Sequence, residues 1–296
     1  MTALPSFLHK TDFACIVTAF LFWTSDILGL IVGGRYFRSH RPSSSSKNDG
    51  SGTFSFDFLD PTRIQEEWEL RAETRGLYSA AGMIGAVAWF FLCIPILNVA
   101  WILSSGGRKR VAPSACIATL ALAGSISELL ARLMHIGVER TGTWLARDWN
   151  LDNWLNDGSD DMLGWRCLEV AFMLSNGLIL WVDSFEWFAL SAIFVLIFLG
   201  VREDKEDAVF SQKWARYGMV LAALCMLDFL ADTLRLHSWI TFSVIARVLG
   251  GINTMILFPV WLLWLGNMLP EIRRNFEASH DKSEEEAFVT GENQVT

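Results

Sequence analysis

The chain is poor in marks of familiar chemistry. It has no His-Glu-x-x-His, no Gly-x-Ser-x-Gly and no phosphate-binding Gly-rich loop, so the common signatures of zinc, serine and nucleotide enzymes are absent. It has no Asn-x-Ser/Thr sequon, and so carries no glycosylation mark of an exposed lumenal surface. There is no basic stripe to suggest nucleic acid. Its five cysteines, Cys15, Cys93, Cys116, Cys167 and Cys225, are odd in number, widely spaced and set in or beside apolar runs. They read as small buried hydrophobes, neither a disulfide framework nor a metal site. The expectation is a chain with no cofactor and no catalytic centre.

What the sequence has instead is length of apolar run. Phe13 to Gly34, Leu77 to Leu103, Pro113 to Ile136, Leu163 to Val201, Tyr217 to Leu236 and Ser243 to Leu269 are each long, with few ionisable residues inside. Roughly 20 apolar residues at a rise of ~1.5 Å cross a ~30 Å hydrocarbon layer. Backbone groups in lipid must be satisfied within the chain, so unbroken runs of this length are helices. With 52% hydrophobic residues in 296, the reading is all-α, a polytopic transmembrane helical bundle. The first run exceeds a signal-peptide core and lacks a small-x-small site before its arginines, so it reads as a retained span. The formal charge of −8 falls largely in the loop from Glu139 to Asp161 and in the tail from Glu271, where solvation explains it.

Leu163 to Val201 decides the span count. As one helix it would be roughly 58 Å long. Asp183 and Glu186 have the spacing of a capping box, and Trp181 and Trp187 bracket them as aromatics do at a membrane surface. Asn176-Gly177 is a competing break point. A turn at Asp183 makes seven spans, at about 13–34, 77–104, 113–136, 163–182, 185–201, 216–236 and 243–269, within a bundle of residues 13–269. Seven spans gather most arginines and lysines on one face and leave only Lys10, Arg108, Lys109 and Arg110 on the other. The positive-inside rule then favours seven, with the N-terminus outside, over six, which divides the same residues almost evenly.

Outside the spans, residues 1–12 form a short tail and 35–59 a flexible loop, polar and Gly-rich over Ser43 to Gly52. Asp60 as cap and Pro61 as first helical residue open a helix over Arg63 to Arg75 that leads into the second span. Gly137 should break the third helix, leaving Val138 to Met162 as an irregular interfacial segment with Trp144, Trp149 and Trp154 at headgroup depth. Residues 270–296 read as a disordered acidic tail, a site for a cytoplasmic protein partner.

The functional signal is charge inside the apolar runs. Glu128, Arg132 and His135 stand at i, i+4, i+7 on one helical face, and Asp228, Asp232 and Arg235 repeat that spacing. Glu169 and Asn176 share a face, Arg247 and Asn253 lie in the last run, and Asp26 in the first. A charge near the bilayer centre costs about 2.5 kcal/mol or more, so these faces turn inward and are paired or hydrated. They are either structural ion pairs or a polar path whose carboxylates load and release a proton or cation. Glu128 to Arg132 and Asp228 to Asp232 share a short local pattern, and with seven spans they run antiparallel, as an inverted repeat requires. The topology invites comparison with G-protein-coupled receptors, but Glu139-Arg140 is followed by Thr141 and the last run has Pro259 without Asn-Pro-x-x-Tyr. Two functions follow as expectations. One is movement of a small solute or ion, coupled to protons. The other is a receptor or scaffold acting through the loop and the tail.

Overall fold

The computed structural model describes residues 10–39, 61–105, 111–147, 167, 169–171, 173–203, 209–234 and 239–292, and among them there is no strand. The helices are α1 (Thr11–Ser39), α2 (Pro61–Ser105), α3 (Val111–Arg147), α4 (Ile179–Glu203), α5 (Gln212–Leu234), α6 (Trp239–Ile252) and α7 (Phe258–Glu292). A π-helical turn over Leu174–Leu178 leads into α4, and another over Asn253–Leu257 joins α6 to α7. Among the described residues six helical stretches are long and apolar enough to cross a membrane: Thr11–Val32, Arg71–Ser105, Val111–Trp144, Trp181–Arg202, Gln212–Leu234 and Ile245–Asn275. The protein is an all-α integral membrane bundle.

The helices close into a ring. Each packs on its neighbours in sequence, and α1 returns to pack on α7. Large apolar side chains such as Phe20, Leu30, Leu122, Leu130, Leu227 and Val260 point outward, where hydrocarbon and not water is the solvent. The centre is filled by aromatic rings. Phe258, fully buried, contacts Phe22, Trp89, Trp187 and Phe194, and Trp261 stacks on Trp214, which stacks on Phe210. Such pairs contribute about 0.5–1.5 kcal/mol each beyond their burial.

Several expectations are corrected here. No turn forms at Asp183: α4 is continuous from Ile179, and Asp183 lies in its second turn. The local irregularity falls at the other break point, Asn176-Gly177, but as a π turn, which adds one residue to the helix and keeps the chain running in one direction. The described residues thus carry six spans. The basic residues then divide almost evenly, and the charge argument for an outside N-terminus no longer holds. Helices α3 and α5 become parallel, so the pattern they share does not form an inverted repeat. Helix α3 also runs through Gly137 to Arg147, placing Trp144 on a helix, because Gly costs a helix only about 1 kcal/mol against Ala. Trp149, Trp154, Asp60, the linker over 43–52 and Arg235 lie outside the described residues. Pro61 does open α2, which continues into the second span without interruption. On the way it buries Trp68 against the missing side chain of Gly142. Helix α7 begins at Phe258 and carries the last span.

The second π turn has a clear cause. Pro259 has no N–H, so the Met255 carbonyl four residues before it loses its helical donor. The backbone widens, and the Phe258 N–H bonds to Asn253 O. The Met255 carbonyl accepts instead from the Trp23 indole of α1 at 2.7 Å, and Leu257 O accepts from the Tyr217 hydroxyl of α5 at 3.3 Å. The turn thus ties three helices together.

Two tests follow. Single cysteines at Ser159 and Lys205, in a background without the native ones, will react with impermeant maleimide from opposite faces of the membrane; labelling from the same face would restore the seven-span arrangement. Trp23→Phe will leave a buried carbonyl unpaired and cost about 1–3 kcal/mol in detergent unfolding. Pro259→Ala, by returning the N–H, should recover part of that loss; no recovery would remove the proline from the account.

Candidate functional site: an intramembrane carboxylate cluster

Because the six spans alternate in direction, sequence order along each helix places its polar residues in one half of the ring. Asp26 follows Phe22 on α1, and Tyr78 precedes Trp89 on α2. Asp183 and Glu186 precede Phe194 on α4, Asp228 and Asp232 follow Trp214 on α5, and Asn253 precedes Phe258. All of them fall on the side where α1 leads to α2, α3 to α4 and α5 to α6. The fully buried charged residues among those described, Glu128, Glu139, Glu186, Asp228 and Asp232, belong to that half. Phe22, Trp89, Phe258, Phe194, Trp261 and Trp214 lie beneath them.

At the centre the Arg132 guanidinium donates to Glu128 Oε1 at 2.6 Å, one turn apart on α3. Across the interface, Asp183 and Glu186 of α4 stand within interaction distance of Glu128 and Arg132. The approach is close because Gly124 has no side chain: a Cβ there would come within 3.2 Å of Ala189 Cβ and 3.9 Å of Glu186 Cα. On α5 the buried Asp228 carboxylate accepts from the Asn253 amide at 3.4 Å and faces Asp232 and Asp183. Asp26 reaches the Thr254 hydroxyl and the field of Arg132, with its Oδ2 buried and without a hydrogen-bond partner. His135 Nε2 pairs with the Tyr78 hydroxyl at 2.6 Å.

Glu128, Arg132, Asp228, Asp232 and Asn253 therefore do share one polar region. His135 sits beside that region on Tyr78, and three other expected members are placed differently. Glu169 is half-buried, before the first π turn, and Asn176 lies within that turn. Arg247, expected as a counter-charge for α5, is exposed on α6. Sequence reasoning assigned Asp183 and Glu186 to a cap and so missed them as members. Their i, i+3 spacing inside an apolar run was the available signal, since two acids there must face inward.

Among the described residues no three His, Cys, Asp or Glu side chains are placed to hold one metal ion. What the cluster can do is bind positive charge. Glu128, Asp183 and Glu186 face the guanidinium of Arg132, while Asp228 faces Asp183 and Asp232, and this concentration of negative charge calls for protons or a cation.

No protein-family model matches the chain, and no curated protein or solved structure matches it.

Removing Arg132 leaves Glu128 buried without its partner. Because the Arg132 side chain is itself 39% exposed, Arg132→Leu should cost about 1–3 kcal/mol, and the double change with Glu128→Leu clearly less. The check is detergent unfolding of both variants; equal losses would show that the pair carries no coupling.

Proposed function

We propose that the protein is a membrane carrier for a small solute or ion, driven by protons or cations that load on the carboxylate cluster. The observation that supports this reading is the meeting of acids from α3, α4 and α5, with Glu128, Asp183 and Glu186 about the Arg132 guanidinium and Asp228 against Asp183, inside a ring of membrane-crossing helices. A purely structural set of ion pairs has no use for the excess of acid, which is costly to bury. A carrier uses it: the charge accepts a proton or cation from one side and releases it when the helices rearrange. Asp228 and Glu128 are the principal titrating groups, with Asp183, Glu186 and Asp232 facing them, Arg132 and His135 further along α3, and Tyr78 and Asp26 on α2 and α1. No catalytic step is part of this proposal.

The aromatic layer beneath the cluster favours a second reading. Phe22, Trp89, Trp187, Phe194 and Phe258 close the centre of the ring, so a path across it requires these rings to part. If they do not, the cluster serves a receptor or scaffold that senses a ligand and signals through the segment 35–75 or the acidic tail.

The deciding experiment places purified protein in proteoliposomes containing a pH dye and imposes a proton gradient. Wild type is expected to dissipate the gradient with a suitable solute present, and Asp228→Asn to abolish the flux. Absence of gradient-dependent flux across a panel of solutes, with binding retained, would favour the receptor.

A further inference from the structure

Asn253 is fully buried in the last span and faces a carboxylate. Its side chain is wholly inaccessible to solvent, yet Oδ1 makes no hydrogen bond. A buried amide oxygen without a donor loses about 1–3 kcal/mol, which a well-packed membrane helix has no reason to retain. Its Nδ2 points at Asp228 Oδ2, but from 3.4 Å, where a charge-assisted N–H···O bond normally closes to about 2.7–2.9 Å. The carboxylate and the amide are therefore held facing one another, apart.

The backbone imposes that spacing. Asn253 opens the π turn that Pro259 forces, and the turn is anchored from outside by Trp23 on Met255 O and Tyr217 on Leu257 O. Gly250, one turn earlier, packs beside the pair: a Cβ there would be in ordinary contact with Asp228 Oδ2 at 3.4 Å and Trp187 Cζ2 at 3.7 Å. Asp232 and Asp183 add negative field from α5 and α4.

Amide oxygen and nitrogen are interchangeable by a flip, so Oδ1 can occupy the place from which Nδ2 now faces Asp228. Two oxygens 3.4 Å apart form the edge of an octahedral shell with metal–oxygen distances of about 2.4 Å, a length typical of hard cations on oxygen ligands. Locally irregular backbone within a membrane-crossing helix is also where carriers hold a coupling ion. A divalent ion would need more acid than converges here, since no three such side chains among those described share a metal-binding point.

We propose that Asp228 and Asn253 form a binding site for a small monovalent cation, Na⁺ in class, at the π turn between α6 and α7. The inference deepens the carrier reading by naming a coupling ion, but it is tested without flux, so failure of one is distinguishable from failure of the other.

The test is thermal unfolding of the full chain in detergent, at fixed ionic strength, as NaCl replaces choline chloride. A ligand that binds only the folded state raises the midpoint further with each tenfold rise in concentration. The expected result is a midpoint several degrees higher in Na⁺ than in choline, with K⁺ giving a smaller rise. The shift should disappear in Asp228→Asn and in Asn253→Ala, and persist in Asp12→Asn, which alters a distant ion pair with Arg273. The readout is the Na⁺-dependent difference within each variant, so a general loss of stability does not mimic it. Equal midpoints in Na⁺ and choline would overturn the proposal. So would a shift that survives both substitutions, and a response to micromolar Ca²⁺ in place of Na⁺ would overturn the monovalent assignment.

Discussion

In a hydrocarbon solvent a carboxylate cannot be left to water, and the arrangement of this bundle follows from where its acids are placed. Glu128 is held by Arg132 on its own helix, but Asp183 and Glu186 bring two further acids against that pair from α4. Helices α3 and α4 approach closely at Gly124 and cannot separate to dilute the charge without opening the core. The ring therefore carries a standing electrostatic demand at one level. The aromatic rings at the adjoining level, centred on Phe258, supply the packing that offsets it.

Pro259 links these two levels. By withdrawing one donor it produces the π turn, frees the Met255 carbonyl for Trp23, and sets Asn253 opposite Asp228. The same residue positions Phe258 in the aromatic layer. Any rearrangement that moved the last span would change the cluster and the layer together, which is the coupling a carrier or a receptor needs between ligand and conformation.

Some of this was legible in the residues. The apolar runs identify the spans, Pro61 marks the start of α2, and the i, i+4, i+7 spacing puts Glu128 and Arg132 on one face. The misreadings share a cause. Capping residues, tryptophans and glycines carry their usual meaning only where water is available to compete for the backbone. Asp183 and Glu186 resemble a cap and Gly137 resembles a stop, but in lipid the backbone keeps its helical bonds and the helix continues through all three. The error at Asp183 then propagated, since span count sets the direction of every later helix and the pairing of α3 with α5.

What the sequence determined by itself is that this chain spans the membrane as helices and carries acids that must turn inward, because length, hydropathy and periodicity are local quantities. Only the tertiary structure decided which acids meet. That depends on the ring closing α1 against α7, on six spans alternating in direction, and on a proline that leaves the Met255 carbonyl to accept from Trp23, more than two hundred residues away in sequence. Those are long-range contacts, and no local pattern encodes them.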